Sequence, residues 1–276
     1  MAVESVGSGG SIVQVDGAWA SLQAIRGRAP LIHNMINLVA MDLAANVLLA
    51  AGASPAMVQG AEEVEDFVAK ADALTINIGT LTSAAVEPMV AAARRAVEHG
   101  KPWVLDPVGV GATEVRREVA ERLAGLQPTV IRGNGSEIMT LGGGTANRGQ
   151  GVDSTLDSTE ALDAARDLAK ATGAVVAVTG VVDYVTDGEA IVAVANGHPL
   201  MTRVTGLGCA LTCFIGACVA VTETPLQATA DGLAIFGVAG ELAAAESPGP
   251  ASLRQRFIDT LYNLDEATLT STANVQ

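Results

Sequence analysis

Short apolar runs alternate with stretches of helical spacing along most of the chain. Residues 74–79, 103–106, 129–132 and 175–179 read as buried strands, each closing on a polar residue or a glycine. Between them, residues 83–99, 114–124, 136–141 and 158–172 carry apolar positions at helical spacing. Ser158 with Glu160 fits the start of the last of these, and Glu160 and Arg166 its charged outer face. Strand and helix in alternation predict an α/β fold with a central, mostly parallel sheet and helices on both faces. Ligands in such folds bind beyond the carboxyl ends of the strands. The residues there are Asn77, Gly79 and Thr80; Asp106, Pro107 and Gly109; Arg132, Asn134 and Glu137; Thr179 and Gly180. These are polar or glycine in a chain dominated by Ala, Val and Leu, so one pocket edge is expected to collect them.

After the last of these strands the pattern changes. Asp183 to Gly188, Ala190 to Val194 and Asn196-Gly197-His198 read as a pair of β-hairpins, with turns at Asp187-Gly188 and Asn196-Gly197. The loop over residues 142–155 is rich in Gly, Asn and Ser and is expected to be mobile, as are residues 1–15. There is no internal repeat and no linker, so residues 1–276 read as one domain.

The hairpins lead into Thr205-Gly206-Leu207-Gly208-Cys209-Ala210-Leu211, followed by an apolar run to Val221. Two glycines one residue apart permit a turn whose N–H groups point one way, and the run after them predicts a buried helix. Unpaired N–H groups and the positive end of a helix dipole then meet at one point, which suits a phosphate. Cys209 stands where the turn becomes the helix. Such turns are common, and a Cys on an apolar helix is also an ordinary core residue.

Composition narrows the choice. Hydrophobic residues make up 49% of the chain but aromatics only 3%, the mixture of a compact α/β enzyme with small side chains between sheet and helix. Sixteen basic against thirty acidic residues give a net charge of −14, which argues against a nucleic-acid partner. The amino terminus lacks a basic cluster and a long apolar run, so it does not read as a signal peptide. The longest apolar stretch, 207–221, is short for crossing a bilayer, which takes about 20 residues. No membrane partner is expected. The three cysteines, at 209, 213 and 218, fit neither a disulfide framework nor a zinc site. Cys213 and Cys218 read as packing residues in a reducing cytoplasm.

From about Pro30 to Asn263 the chain resembles hydroxyethylthiazole kinases of the ribokinase-like superfamily. Besides Val204 to Leu211, the segments that carry the resemblance are Gly52-Ala-Ser-Pro-Ala-Met57, Asn77-Ile-Gly-Thr-Leu81 and Leu105-Asp-Pro-Val-Gly-Val-Gly-Ala-Thr113. Three more are Ile131-Arg-Gly-Asn-Gly-Ser-Glu-Ile138, Val178-Thr-Gly-Val-Val-Asp183 and Asn196-Gly-His198. The resemblance implies a three-layer ribokinase-like fold. It also implies Mg²⁺-dependent transfer of phosphate from ATP to the alcohol of hydroxyethylthiazole, and a homotrimer with active sites at its interfaces. Met57 and Gly206 would contact the thiazole, with Asn37 close by. Arg132 and Thr179 would bind ATP phosphates, Asp106 and Glu137 would organise Mg²⁺, and Cys209 stands where most ribokinase-like enzymes have an aspartate base. The N–H groups from Gly206 through Leu207 and Gly208 to Cys209 would form the anion hole.

Each assignment has a plainer counterpart. Met57 suits a core gap, Glu137 the first turn of a helix capped by Asn134 or Ser136, and Asp106 the end of a strand. His33 and His198 sit in no acid–base pair and read as structural. A helix N-terminus is expected to lower the Cys209 pKa and so favour its thiolate. Three positions depart from the family pattern: Leu207 between the glycines, Ile36 before Asn37 in place of a hydroxyl residue, and Gly135 in place of Ala. Leu207 would either narrow the site or pack into the helix. Hydroxymethylpyrimidine kinases and NAD(P)H-hydrate dehydratases are the nearest rivals, but both would carry Asp at position 209. A protein that binds nucleotide or thiazole without turnover is a rival of another class.

Overall fold

The computed structural model describes residues 16–143 and 159–276. The amino-terminal fifteen residues, Ser158 and most of the glycine-rich loop lie outside them. Helix α1 (Asp16–Arg28) precedes strand β1 (Leu31–Met35), helix α2 (Met41–Ala51), strand β2 (Ser54–Ala56) and helix α3 (Val64–Lys70). The regular alternation follows: β3 (Ala73–Asn77), α4 (Ser83–Glu98), β4 (Trp103–Asp106), α5 (Glu114–Ala124), β5 (Val130–Asn134), α6 (Gly135–Leu141), α7 (Leu162–Thr172) and β6 (Val175–Thr179). Strands β7 (Asp183–Thr186) and β8 (Ile191–Val194) form a hairpin across Asp187-Gly188. The chain then makes a 3-10 turn, Pro199–Arg203, and closes with α8 (Leu207–Val221), α9 (Pro225–Ala245), α10 (Pro250–Asn263) and α11 (Glu266–Thr272).

The eight strands form one sheet in the order β2-β1-β3-β4-β5-β6-β7-β8. Pairing is parallel from β2 through β6 and antiparallel at β6–β7 and β7–β8. A parallel strand buried on both faces needs apolar residues in succession, and here successive residues divide between two cores. Val104 and Val130 face the core shared with α1, α2 and α8 to α11, while Leu105 and Ile131 face the core of α3 to α7. The register sets Asn77 beside Asp106 and Asn134 beside Thr179 at the carboxyl ends.

Several boundaries move. β5 runs two residues beyond Arg132, so that residue lies within the strand, and α7 starts at Leu162 with no side-chain cap. The Asn196-Gly197 turn closes no second hairpin. Asn196 instead bonds Glu241 and the Thr272 carbonyl, and Asn274 to Gln276 lie along β8, covering the sheet edge. The longest apolar helix among the described residues is α9, not 207–221. It has the length and composition to cross a membrane, but 83% of its most apolar window is buried within the protein, as in a core helix.

Candidate active site

Gly206 ends the approach to α8 with φ +84°, a left-handed conformation that glycine adopts without steric cost. A Cβ there would stand 3.1 Å from Ala40, so the turn also needs the space. The Leu207 N–H donates back to the Val204 carbonyl at 3.3 Å. Those of Gly208 and Cys209 have no backbone acceptor among the described residues, as expected of a first helical turn. Position 208 is tight for a different reason. The Arg132 guanidinium lies against it, and a Cβ there would be 3.2 Å from Nη1.

The strand ends assemble the rest. Arg132 donates through Nη2 to Thr179 Oγ1 at 2.6 Å and through Nη1 to the Gly208 carbonyl at 3.3 Å. Its Nη1 also stands 3.9 Å from Asp106 Oδ2. That same oxygen accepts from Asn77 Nδ2 at 2.6 Å and from Thr212 Oγ1 at 2.8 Å. Asp106 Oδ1 is buried with no partner among the described residues, as is Arg132 Nε. Asn37 links this group to the thiol, its Nδ2 donating to Asn77 Oδ1 at 2.9 Å and to Cys209 Sγ at 3.1 Å. A continuous hydrogen-bonded chain therefore runs from Cys209 through Asn37 and Asn77 to Asp106 and Thr212.

Glu137 enters this region from α6. Its Oε2 accepts from the Asn134 N–H at 2.9 Å while Asn134 Oδ1 accepts from the Glu137 N–H at 3.0 Å, a reciprocal capping box. Its Oε1 accepts from the Gly109 N–H at 2.9 Å. Burial and the neighbouring Asp106 charge push the Glu137 carboxyl up to about 7. Burial likewise raises Asp106, against the pull of Arg132, Thr212 and Asn77. Half-buried Asp183 stands near the same guanidinium, accepts from the Gly180 N–H at 2.8 Å, and is pushed up to about 7 by burial.

The expected activation of Cys209 is overturned. Burial, with the Asp106 charge next, pushes its thiol up to about 11 despite hydrogen bonds from Asn37 and Asn77 and the nearby Arg132. Desolvation of an anion beside another anion outweighs two amide donors and one cation. At neutral pH the group is a thiol.

The structure thus brings together Asn37, Asp106, Arg132, Thr179, Gly206, Gly208 and Cys209, with Glu137 behind them. Met57, just past β2, is half-buried against the core shared with α8. Leu207 and Ile36 are both buried in that core, at 3% and 1% exposure. Neither side chain is a surface residue of the site, so the unusual leucine does not narrow it. His33 is buried, its Nε2–H donating to the Val58 carbonyl at 2.9 Å and its ring lying edge-on to Phe67. His198 is exposed, and its Nδ1 accepts from the Leu200 N–H. Neither histidine bonds a carboxylate among the described residues, and Cys213 and Cys218 are buried in the core. Thr212 joins the site as well, through its bond to Asp106 Oδ2, and a hydroxyl one turn beyond Gly208 in an otherwise apolar helix is the signal for it.

A family model described as the hydroxyethylthiazole kinase family matches residues 22–267. The chain belongs to the hydroxyethylthiazole kinase family. A hydroxyethylthiazole kinase of Granulibacter bethesdensis is 53% identical over 255 residues, covering 91% of this chain and 92% of that one. The solved structure of a hydroxyethylthiazole kinase protein from Pyrococcus horikoshii OT3 superposes with a TM-score of 0.88 at 42% identity, covering 95% and 98% of the two chains. A ribokinase-like superfamily protein from Enterococcus faecalis V583 shares the fold, with a TM-score of 0.63 at 13% identity over 86% of this chain and 88% of that one. The fold is ribokinase-like, and this member of the hydroxyethylthiazole kinase family is a kinase.

Proposed function

We propose that the protein transfers the terminal phosphoryl group of ATP to the primary alcohol of 4-methyl-5-(2-hydroxyethyl)thiazole, giving the monophosphate for thiamine biosynthesis or salvage. One observation carries the reading. A helix N-terminus with open N–H groups, a half-buried guanidinium, an acid with an oxygen unpartnered among the described residues and a thiol share one hydrogen-bonded network. Family membership supplies the thiazole.

In this reading Arg132 and Thr179 bind the ATP phosphates, the guanidinium gripping oxygens with its fork. The N–H groups from Gly206 to Cys209 face the transferring phosphoryl group. Since Leu207 already bonds Val204, the contribution falls to Gly206, Gly208 and Cys209. Met57 and Gly206 contact the thiazole, with Asn37 beside it. Asp106 Oδ1 is a hard oxygen without a partner among the described residues, the kind of ligand Mg²⁺ takes. Glu137 has lone pairs left beyond its two backbone bonds. Among the described residues no group of three or more His, Cys, Asp or Glu is arranged to hold a metal. Asp106 and Glu137 would therefore hold Mg²⁺ together with the nucleotide's own phosphates. When bound, the ion neutralises phosphate charge.

A loose phosphoryl-transfer transition state asks for positioning and charge stabilisation more than for early removal of the alcohol proton. Cys209 Sγ accepts that proton only as thiolate, and with the thiol held near 11 its share of the rate is small. Asn37, donating to Sγ, orients it. We further propose one kinase domain over residues 1–276, acting as a homotrimer with interface active sites. Leu38 and Val39, 69% and 64% exposed beside Asn37, are apolar surface that such an assembly would cover. Three free cysteines suit a reducing cytoplasm.

The test is ADP release from purified protein with Mg-ATP, with and without hydroxyethylthiazole, and identification of the product by mass. Thiazole-dependent ADP with a matching monophosphate is the expected result. ATP binding without turnover would overturn it in favour of a binding protein.

A further inference from the structure

Arg116 occupies the first turn of α5, where a cation opposes the helix dipole. No carboxylate pairs with it among the described residues. Its guanidinium instead donates to three backbone carbonyls. Nη1 reaches Ile78 O at 2.6 Å and Val108 O at 2.9 Å, and Nη2 reaches Gly79 O at 2.7 Å. These carbonyls belong to two different loops, one leaving β3 and one leaving β4. The helix turn that carries Arg116 is itself fixed, since its N–H donates to the capping Thr113 Oγ1 at 3.3 Å.

Both loops end on groups of the site. The Gly79 N–H donates to Asn77 Oδ1 at 2.9 Å, the oxygen that also accepts from Asn37. The Ile78 N–H donates to the Asp106 carbonyl at 3.3 Å. In the other loop the Gly109 N–H, next in sequence to the Val108 carbonyl, donates to Glu137 Oε1 at 2.9 Å. A peptide unit is rigid, so fixing the Val108 carbonyl also fixes the direction of the Gly109 N–H. One side chain thus sets the loop donors that orient the Asn77 amide and the Glu137 carboxylate. We propose that Arg116 is a positioning residue: its three-carbonyl fork locks the loops after β3 and β4 in the register that Asn77 and Glu137 need to present the phosphate and metal side of the site.

A lysine cannot reproduce the fork. It is a single point charge whose donors cannot span two loops in fixed geometry. The kinetic arm of the test rests on the kinase reading; the exchange arm does not. Arg116→Met and Arg116→Lys are compared with the unaltered full-length protein by amide hydrogen exchange and by steady-state kinetics.

In Arg116→Met, exchange should rise about tenfold or more in peptides covering residues 77–80 and 107–112, with the rest of the sheet unchanged. KM for Mg-ATP and the Mg²⁺ requirement should rise by about tenfold while KM for the thiazole holds, and Arg116→Lys should recover part of both. Unchanged exchange in either loop overturns the proposal. So does exchange raised uniformly across the chain with a fall in kcat alone, the signature of a merely structural arginine. If Arg116→Met does not fold, Arg116→Lys carries the same comparison, since it too loses the fork. If the unaltered protein shows no thiazole-dependent turnover, the kinase reading fails, and the exchange result still decides the role of Arg116.

Discussion

Two buried aspartates in this molecule differ in one respect. Asp231 lies in α9 at 3% exposure and has both oxygens satisfied, Oδ2 by Ser21 Oγ at 2.5 Å and Oδ1 by Gln227 Nε2 at 2.6 Å. Its bonds tie α1 to α9. Asp106, at 0% exposure, also receives a hydroxyl and an amide, but both fall on Oδ2 and leave Oδ1 bare. Burial raises both carboxyls. A closed set of partners makes a structural acid, because nothing remains for a ligand to meet. An open set stores an unmet acceptor at the strand ends, which only a bound group would satisfy.

The contrast sharpens most at Asp106. Asp106→Asn keeps the shape but removes the charge and one acceptor, and should lower kcat/KM by about 10³ with little loss of melting temperature. Paired kinetics and calorimetry would check this; an inactive variant that also unfolds early would merge the two aspartates into one class.

Glu137 gives the next effect, read in stability. Its folded pKa of about 7 lies above the ordinary carboxylate value, so the folded state holds the proton more tightly. Its contribution is present below about pH 4.5 and lost as pH rises through 7, up to about 3 kcal/mol. Denaturant titrations across that range should show Glu137→Gln with a flatter slope. Its curve should start about 1 kcal/mol lower, because one backbone N–H loses its acceptor.

Asp231→Ala should cost about 2 kcal/mol by stranding Ser21 and Gln227, seen as a lower denaturation midpoint, with turnover per folded molecule unchanged. Lost turnover at full folding would break the comparison from the other side.

The smallest effect belongs to Cys209. Cys209→Ser should slow phosphorylation by less than about tenfold, and Cys209→Asp should keep or raise the rate. Because the thiol sits near 11, the pH profiles of kcat for the Ser variant and the unaltered protein should stay parallel from about pH 7 to 9.

Much of the site was legible in the chain. Asn77, Asp106, Arg132 and Thr179 were found because polar residues closing apolar strands stand out, and the sheet register then sets them at one edge. Strand β2 and helix α9 leave weaker patterns, since β2 has only three residues and Gln227, Thr229 and Asp231 interrupt the apolar run of α9. Arg116 left a faint mark, a cation in a helix's first turn, but its three carbonyl partners lie on loops that no spacing rule connects to it.

The chain by itself determined the alternation of strand and helix, the glycine turn before α8 and the edge at which polar groups gather. Those follow from local conformational preference and from the side-chain periods of strand and helix. Only the tertiary structure decided that Leu207 and Ile36 turn into the core, that Glu137 also accepts from the Gly109 N–H of another loop, and that Cys209 stays a thiol. The last depends on how much water the packed elements exclude around Sγ and on Asp106, 103 positions away in sequence, standing near enough to oppose a second negative charge. Burial and charge are sums over neighbours, and the neighbours exist only after the chain has folded.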